Sequence, residues 1–142
     1  MATSNAATTY LENKILDFLF KNNSSSFTTP GNSIYVGLAT AVADAEAGSL
    51  TEATFGAYAR QQVTAANWTL ASSSTDTQTV TNAANIEYSA STGTTNTVTH
   101  AFIADAASSG NILFVGALDA SKTIATGDIF RINAGNLTIE LK

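Results

Sequence analysis

The stretch TVTHAFIADAASSGNILFVGAL, residues 97–118, decides how this chain is read. It holds the one histidine of the sequence, His100, with Asp105, Ser108 and Ser109 close behind. Those residue types suggest a hydrolytic triad, in which the base must reach both partners by hydrogen bonds. Strand geometry argues otherwise. If 97–104 is extended, His100 shares a face with Val98 and Phe102. Asp105 then points to the opposite face, roughly 16 Å away at about 3.3 Å per residue. Only a bulge or an early strand end would bring them together. Ser108 and Ser109 fall in the turn, and no G-x-S-x-G elbow occurs anywhere. The stretch reads as a hairpin, with strands at 97–104 and 111–118 around ASSGN. His100 is then a hydrogen-bonded strand residue or an interface contact.

The same alternation and punctuation recur along the chain. Strands are expected at 33–40, after the Pro30–Gly31 turn, and in AYARQQVT. Further short strands are expected near 67–71, 77–81, 85–89, 129–133 and 136–141. NAGN at 133–136 is a tight turn. Beyond it Leu137, Ile139 and Leu141 alternate with Thr138, Glu140 and Lys142, one face buried and one wet. Residues 41–56 lack strong periodicity and read as a long loop. Many short strands with regular turn signals predict a mainly β fold, an antiparallel β-sandwich of jelly-roll or Ig-like type.

One helix precedes the strands. In TTYLENKILDFLFKNN, Thr9 and Glu12 have capping-box spacing. Leu11, Ile15, Phe18 and Leu19 form one face, and Leu16 and Phe20 widen it. A helix so short and so apolar needs a surface to lie on. That surface is either its own sheet or a neighbouring subunit. The expected organisation is a flexible N-terminal arm at 1–7 and a single β-sandwich domain at 8–142 with the N-terminal amphipathic α-helix.

Composition narrows the function. The chain has 142 residues, suited to one domain, and 44% are hydrophobic, enough for a real core. Only 12% are charged, about half the usual share, as fits faces covered by neighbours. The net charge of −5 and the scattered Lys and Arg argue against a nucleic-acid partner. No run of 18 apolar residues predicts a membrane span, and the start lacks the pattern of a secretion signal. There are no cysteines, hence no disulfide framework and no thiolate metal site.

No catalytic, cofactor-binding or metal-binding residues are assigned. Asp44, Glu46, Asp105, Asp119 and Asp128 follow no calcium-loop spacing and read as turn caps. The glycines lack phosphate-loop context. Trp68, Tyr35, Tyr58 and Tyr88 could form a sugar-binding platform, although strand aromatics ordinarily belong to the core. Arg60 and Arg131 fall in expected strands. Each either pairs with an acid while covering apolar surface with its stem, or anchors a subunit contact. The candidate assembly-interface residues are Leu11, Ile15, Phe18, Arg60, His100 and Arg131.

In order, YLENKILDFLF, IYVGLAT, GAYARQQV, VTHAFIADAASSGNILFVGAL and SKTIATGDIFRINAGNLTIEL form a series. It resembles a family of small virion structural proteins of tailed bacteriophages. Members are labelled tail fibre or minor structural proteins, and comparable small β-sandwiches serve as head decoration (cement) proteins. The resemblance covers Tyr10 to Leu141. It departs at TTNTVTH, where a Trp-Gly pair often precedes the histidine run, and in the Thr-rich middle at 67–95. The resemblance implies a non-enzymatic virion component, made in the host cytoplasm and placed on the exterior of the particle. A capsid decoration role is expected first, with a tail fibre, collar or tail-adaptor role as the alternative. The implied partners are the protein itself, as a homo-oligomer, and major capsid or tail and neck proteins. A host glycan is a further partner to test. No cofactor is implied.

Overall fold

The computed structural model describes residues 6–21, 34–70 and 78–141, with residue 141 described by its backbone only. Its elements are β1 (Ala6–Ala7), α1 (Thr9–Phe20), β2 (Tyr35–Asp44), β3 (Ser49–Glu52), β4 (Gln61–Gln62) and β5 (Trp68–Leu70). They continue with β6 (Gln78–Asn82), β7 (Ile86–Glu87), β8 (Asn96–Ala104), β9 (Ile112–Ile124), β10 (Arg131–Ile132) and β11 (Thr138–Leu141). The largest sheet runs β1-β9-β8-β2-β3, with β4 on the same edge of β2 as β3. A second sheet runs β11-β6-β5, and β10 pairs with β7. Every pairing is antiparallel, and the sheets curl into a half-barrel consistent with the expected sandwich.

The expected hairpin at 97–118 is the centre of the large sheet. Its strands β8 and β9 pair from Ala104↔Ile112 down to Asn96↔Ile124. The middle of the large sheet, in β2 and β8, is buried on both faces, so these stretches read as nearly continuous apolar runs. Val36 and Leu38 of β2, with Ala101 and Ile103 of β8, face a core shared with Phe55, Ile86, Tyr88 and Ile132. Ala39, Phe102, Ala104 and Val115 face a smaller cluster beneath the β2–β3 turn. Gly37 makes room for that second layer, because a Cβ there would overlap the fully buried Phe102 ring.

Several expectations shift. The first two residues of the described chain belong to the sheet rather than to a loose arm: Ala6 and Ala7 pair with Val115 and Phe114. The rest of that arm lies outside the described residues, as does the start of the strand expected from residue 33. Thr8, not Thr9, caps α1. Its hydroxyl accepts from the Leu11 N–H at 3.4 Å and donates to the Ile112 carbonyl at 2.6 Å, so the helix start is tied to β9. Glu12 therefore sits one place too late to close a capping box.

The segment 41–56 is not one long loop: 41–44 and 49–52 are strand, and 45–48 and 53–56 are turn or irregular. β2 continues to Asp44 and returns as β3. Asp44 closes the turn by accepting from the N–H groups of Glu46 and Ala47, and Gly48 takes the left-handed conformation (φ 66°) that follows. Conversely, AYARQQVT yields only the two-residue β4, and Arg60 precedes it. β10 is likewise only two residues long, although Arg131 lies within it as expected. β9 runs six residues past its expected end, through a register slip. Val98 pairs with Lys122 and His100 with Ala117, so Thr99 alone stands opposite residues 118–121.

The C-terminal pattern holds. Asn136 N–H bonds the Asn133 carbonyl at 3.0 Å across the NAGN turn, with Gly135 at φ 80°. Leu137 and Ile139 pack on the core, and Thr138 and Glu140 face outward. Asn82 fixes this turn from inside. Its amide donates to the carbonyls of Ala84 and Asn133, and its oxygen accepts from the Leu137 N–H.

Candidate functional site

The register slip decides where His100 points. Val98 joins the core with Ala101 and Ile103, so the slip moves it to the face opposite Phe102. By alternation His100 stays on the Phe102 face, and the expected Val98–His100 alignment is corrected. Its Nδ1 lies 2.8 Å from Thr99 Oγ1, and the Thr99 hydroxyl is 3.1 Å from the Thr40 carbonyl. A hydroxyl that donates to Thr40 must accept from Nδ1–H, which leaves Nε2 as the bare acceptor. Nε2 is buried and has no partner among the described residues. Burial pushes the His100 pKa below the ordinary histidine range.

Asp105 is occupied elsewhere. Its carboxylate accepts from the Asn111 N–H and from the Asn111 amide, each at 2.7 Å, and so closes the β8–β9 loop. Ser108 and Ser109 are exposed at the tip, where Ser109 (φ 53°) and Gly110 (φ 69°) both take the left-handed conformation. His, Asp and Ser therefore do not converge. Asp44 and Asp128 also cap turns: Asp128 accepts from the Ala125 N–H at 2.9 Å. No group of three metal-ligating side chains forms among the described residues.

A dense polar network is centred on Arg60, whose side chain is only 6% exposed. Its guanidinium forks onto Glu52 through Nε–Oε1 and Nη2–Oε2, both 2.8 Å. Nη1 donates to the carbonyls of Ala106 and Ser109 at 3.0 and 2.8 Å. The same group lies 5.0 Å from the centre of the Phe102 ring, a cation–π distance. Tyr58 donates to Glu52 Oε1 at 2.8 Å and accepts from the Leu38 N–H at 2.9 Å. Burial pushes the Glu52 carboxyl up, but the Arg60 fork and the Tyr58 hydroxyl outweigh it and hold it below the usual range. One buried cation thus fastens the β8–β9 tip to β3. The Glu52 fork is the acid pairing that the sequence reading offered for Arg60. Glu52 and Tyr58 complete the network; the sequence offers no spacing that links them to residues 106 and 109.

The aromatic platform does not assemble on the surface. Tyr88 is fully buried, stacks on Tyr58 at 6.0 Å and meets the Phe130 edge at 5.8 Å. Its hydroxyl donates to the Val36 carbonyl at 2.9 Å, and burial raises its pKa well above the ordinary tyrosine value. Trp68 is half-buried against the same core. Arg131 pairs with Glu87 across β10 and β7, both side chains about half exposed.

The helix face splits along its length. Leu11 is buried against its own sheet and Ile15 is half-buried, whereas Leu16, Leu19 and Phe20 are 54%, 64% and 78% exposed. Only the first turns dock. Of the expected face, Phe18 is 45% exposed and Leu19 is exposed with Leu16 and Phe20, the two that widen it, whereas Leu11 and Ile15 are not. A groove of about 640 Å³ opens beside the root of this helix, between β1 and β11, floored by Phe114, Val115 and Ile139. No helix among the described residues is long and apolar enough to cross a membrane.

Fold and surface define a class: a small, mainly antiparallel β domain with one N-terminal helix whose C-terminal half exposes apolar side chains. A family model described as "Podophage GP4 fiber I protein gp80" matches residues 6–140. The chain belongs to this gp80 fibre family, and the match spans both the helix and the sheets. No curated protein matches it.

Proposed function

We propose that the chain is a non-enzymatic, fibre-type structural component on the exterior of a podophage particle. The observation that carries this reading is the family match over 6–140. The family's fibre description favours the tail-fibre expectation over capsid decoration. The internal use of Asp105 by the hairpin loop and of Arg60 by Glu52 supports a structural rather than a chemical role for the polar residues. The exposed end of α1 supplies an assembly face, and its partners are other virion proteins. Arg131, about half exposed, and His100, half-buried, remain candidate contact residues.

Quantitative mass spectrometry of purified particles tests the proposal. A fibre or neck component is expected at a low multiple of the tail symmetry, such as six or twelve copies. Hundreds of copies would favour decoration, and absence from intact particles would overturn the assignment. A glycan array on the purified chain tests for a host receptor separately.

A further inference from the structure

The large sheet divides at His100. β2 pairs with β8 only as far as Ala39↔His100, and beyond that its strand partner among the described residues is β3. Both ladders break at this point. Thr40 is an extra residue of β2 against β3, and Thr99 of β8 stands opposite residues 118–121 of β9. Bulges of this kind bend a strand. β2 does not run on past His100. A Cβ on Gly48, in the turn that follows, would lie 3.2 Å from Ile112. Ile112 pairs with Ala104, roughly 13 Å up β8 from His100 at about 3.3 Å per residue. The Glu46 carbonyl in the same turn accepts from the Thr9 N–H at 2.8 Å. Residues 41–52 therefore form an arm that turns back over the Phe102 face, where Val42, Ala45 and Leu50 cluster with Phe102 and Val115.

His100 sits at the root of this arm. It is the cross-strand partner of Ala39, on the face that the arm covers, and its Nε2 is buried without a partner among the described residues. Its Nδ1–H begins a chain of hydrogen bonds through both bulges. Nδ1 lies 2.8 Å from Thr99 Oγ1, the Thr99 hydroxyl donates to the Thr40 carbonyl at 3.1 Å, and the Thr40 hydroxyl donates to the Thr51 carbonyl at 3.3 Å. The chain ties β8 to β2 and β2 to β3. We propose that the β2–β3 arm is a strap over the second face of the large sheet, and that His100 is its acid-operated latch.

The neutral ring suits the closed arm, because Nδ1–H serves Thr99 and Nε2 carries neither proton nor charge. Protonation places a charged N–H at Nε2 with no acceptor, and a buried, unpaired charged donor is costly. The surrounding charges do not compensate it. Asp44 and Glu46 lie in the turn of the arm, Glu52 at its end, and Asp119 and Lys122 on β9. Asp44 accepts from its own turn, and Glu52 is held by Arg60. The ion pairs among the described residues are those of Arg60 and Arg131, so none reaches His100. The ring relieves the cost by swinging out, which parts Thr99 from Thr40. Val42, Ala45, Leu50 and the Glu46–Thr9 hydrogen bond then hold the middle of the arm, and a segment with so few anchors opens without global unfolding. Burial lowers the pKa of His100 in the closed form, so the open form binds the proton more readily. Closure is favoured above about pH 6.5, the ordinary histidine value, and is lost progressively as pH falls below it. Opening bares Ala39, Phe102 and Val115, an apolar face that the closed arm hides.

Hydrogen exchange of the full chain at pH 7.5 and 5.0, corrected for intrinsic rates and read by mass spectrometry, tests the latch. Peptides over 41–52 are expected to lose protection roughly threefold or more at pH 5.0, a pKa difference of one unit being a factor of ten. Peptides over 131–141 are expected to hold. His100→Gln should abolish the difference, and Thr99→Val should open the arm already at pH 7.5. The native chain gives a second reading that needs no variant, because it has one histidine. Its ¹⁵N resonances are expected to place the proton on Nδ1 at pH 7.5 and to titrate below the ordinary histidine value. Equal loss of protection in both regions, an undiminished loss in His100→Gln, a closed arm in Thr99→Val, or a proton on Nε2 at pH 7.5 would each overturn the proposal. None of these outcomes bears on particle stoichiometry, so the virion assignment stands or falls separately.

Discussion

Replacing Arg60 by Met keeps the aliphatic stem but removes the fork, both carbonyl contacts and the charge over Phe102. Breaking a buried ion pair by deleting one partner costs about 3–5 kcal/mol. Glu52 retains about a third of its exposure and keeps the Tyr58 hydrogen bond, so the lower end applies. The expected loss is about 3 kcal/mol, or about 10 °C in Tm at roughly 3 °C per kcal/mol for a chain of this size. Urea unfolding followed through Trp68, the one tryptophan, measures it. Glu52→Gln alone should cost about 2 kcal/mol. The double variant should lose clearly less than the two together, with a coupling of about 1–2 kcal/mol. Because Arg60 holds the carbonyls of Ala106 and Ser109, amide exchange in the 105–111 loop should speed up at least tenfold, while β6 and β11 stay protected. A loss under 0.5 kcal/mol, a coupling near zero, or an unchanged loop would refute the clamp.

Gly37→Ala should destabilise by about 2–3 kcal/mol, because the new methyl group meets a ring that cannot retreat between β2 and Arg60. Adding Phe102→Leu should recover part of that loss; if the double variant is simply worse by both costs, the overlap is not the cause. Burial lowers the folded-state pKa of His100, so the unfolded chain binds its proton more readily. Stability is therefore full above about pH 6.5, the ordinary histidine value, and falls as pH drops below it. Urea midpoints at pH 7.5 and 5.0 should differ for the native chain and converge for His100→Gln; an equal pH slope in both would show that another group titrates.

Much of the β architecture was legible in residue order. The hairpin at 97–118 is two apolar runs around a Gly- and Ser-rich tip, and local sterics leave such a pattern few alternatives. The NAGN turn and the alternation after it follow from glycine's freedom at Gly135 and from the two-residue strand period. The helix is readable for the same local reason, down to its apolar arc. Misreadings cluster where pairing partners matter. The β3 strand has weak periodicity of its own and exists because β2 offers it an edge. The cap moved from Thr9 to Thr8 because the Ile112 carbonyl, 104 residues away, holds the Thr8 hydroxyl.

The candidate site divides in the same way. Sequence by itself determined that His100, Asp105 and the serines are too far apart along a strand to act together, and that α1 carries an apolar face that needs a surface to lie on. It could not determine that Thr99 stands opposite residues 118–121, which sends Val98 and His100 to opposite faces. Nor could it join Arg60 to Glu52 and to a loop 46–49 residues away. Register and ion pairing are fixed by contacts distant in sequence, where no local periodicity records them. The exposure of Leu16, Leu19 and Phe20 is a tertiary fact of the same kind: periodicity marks a side chain as apolar, but only the angle at which β1 and Thr8 launch the helix decides which of them its own sheet covers.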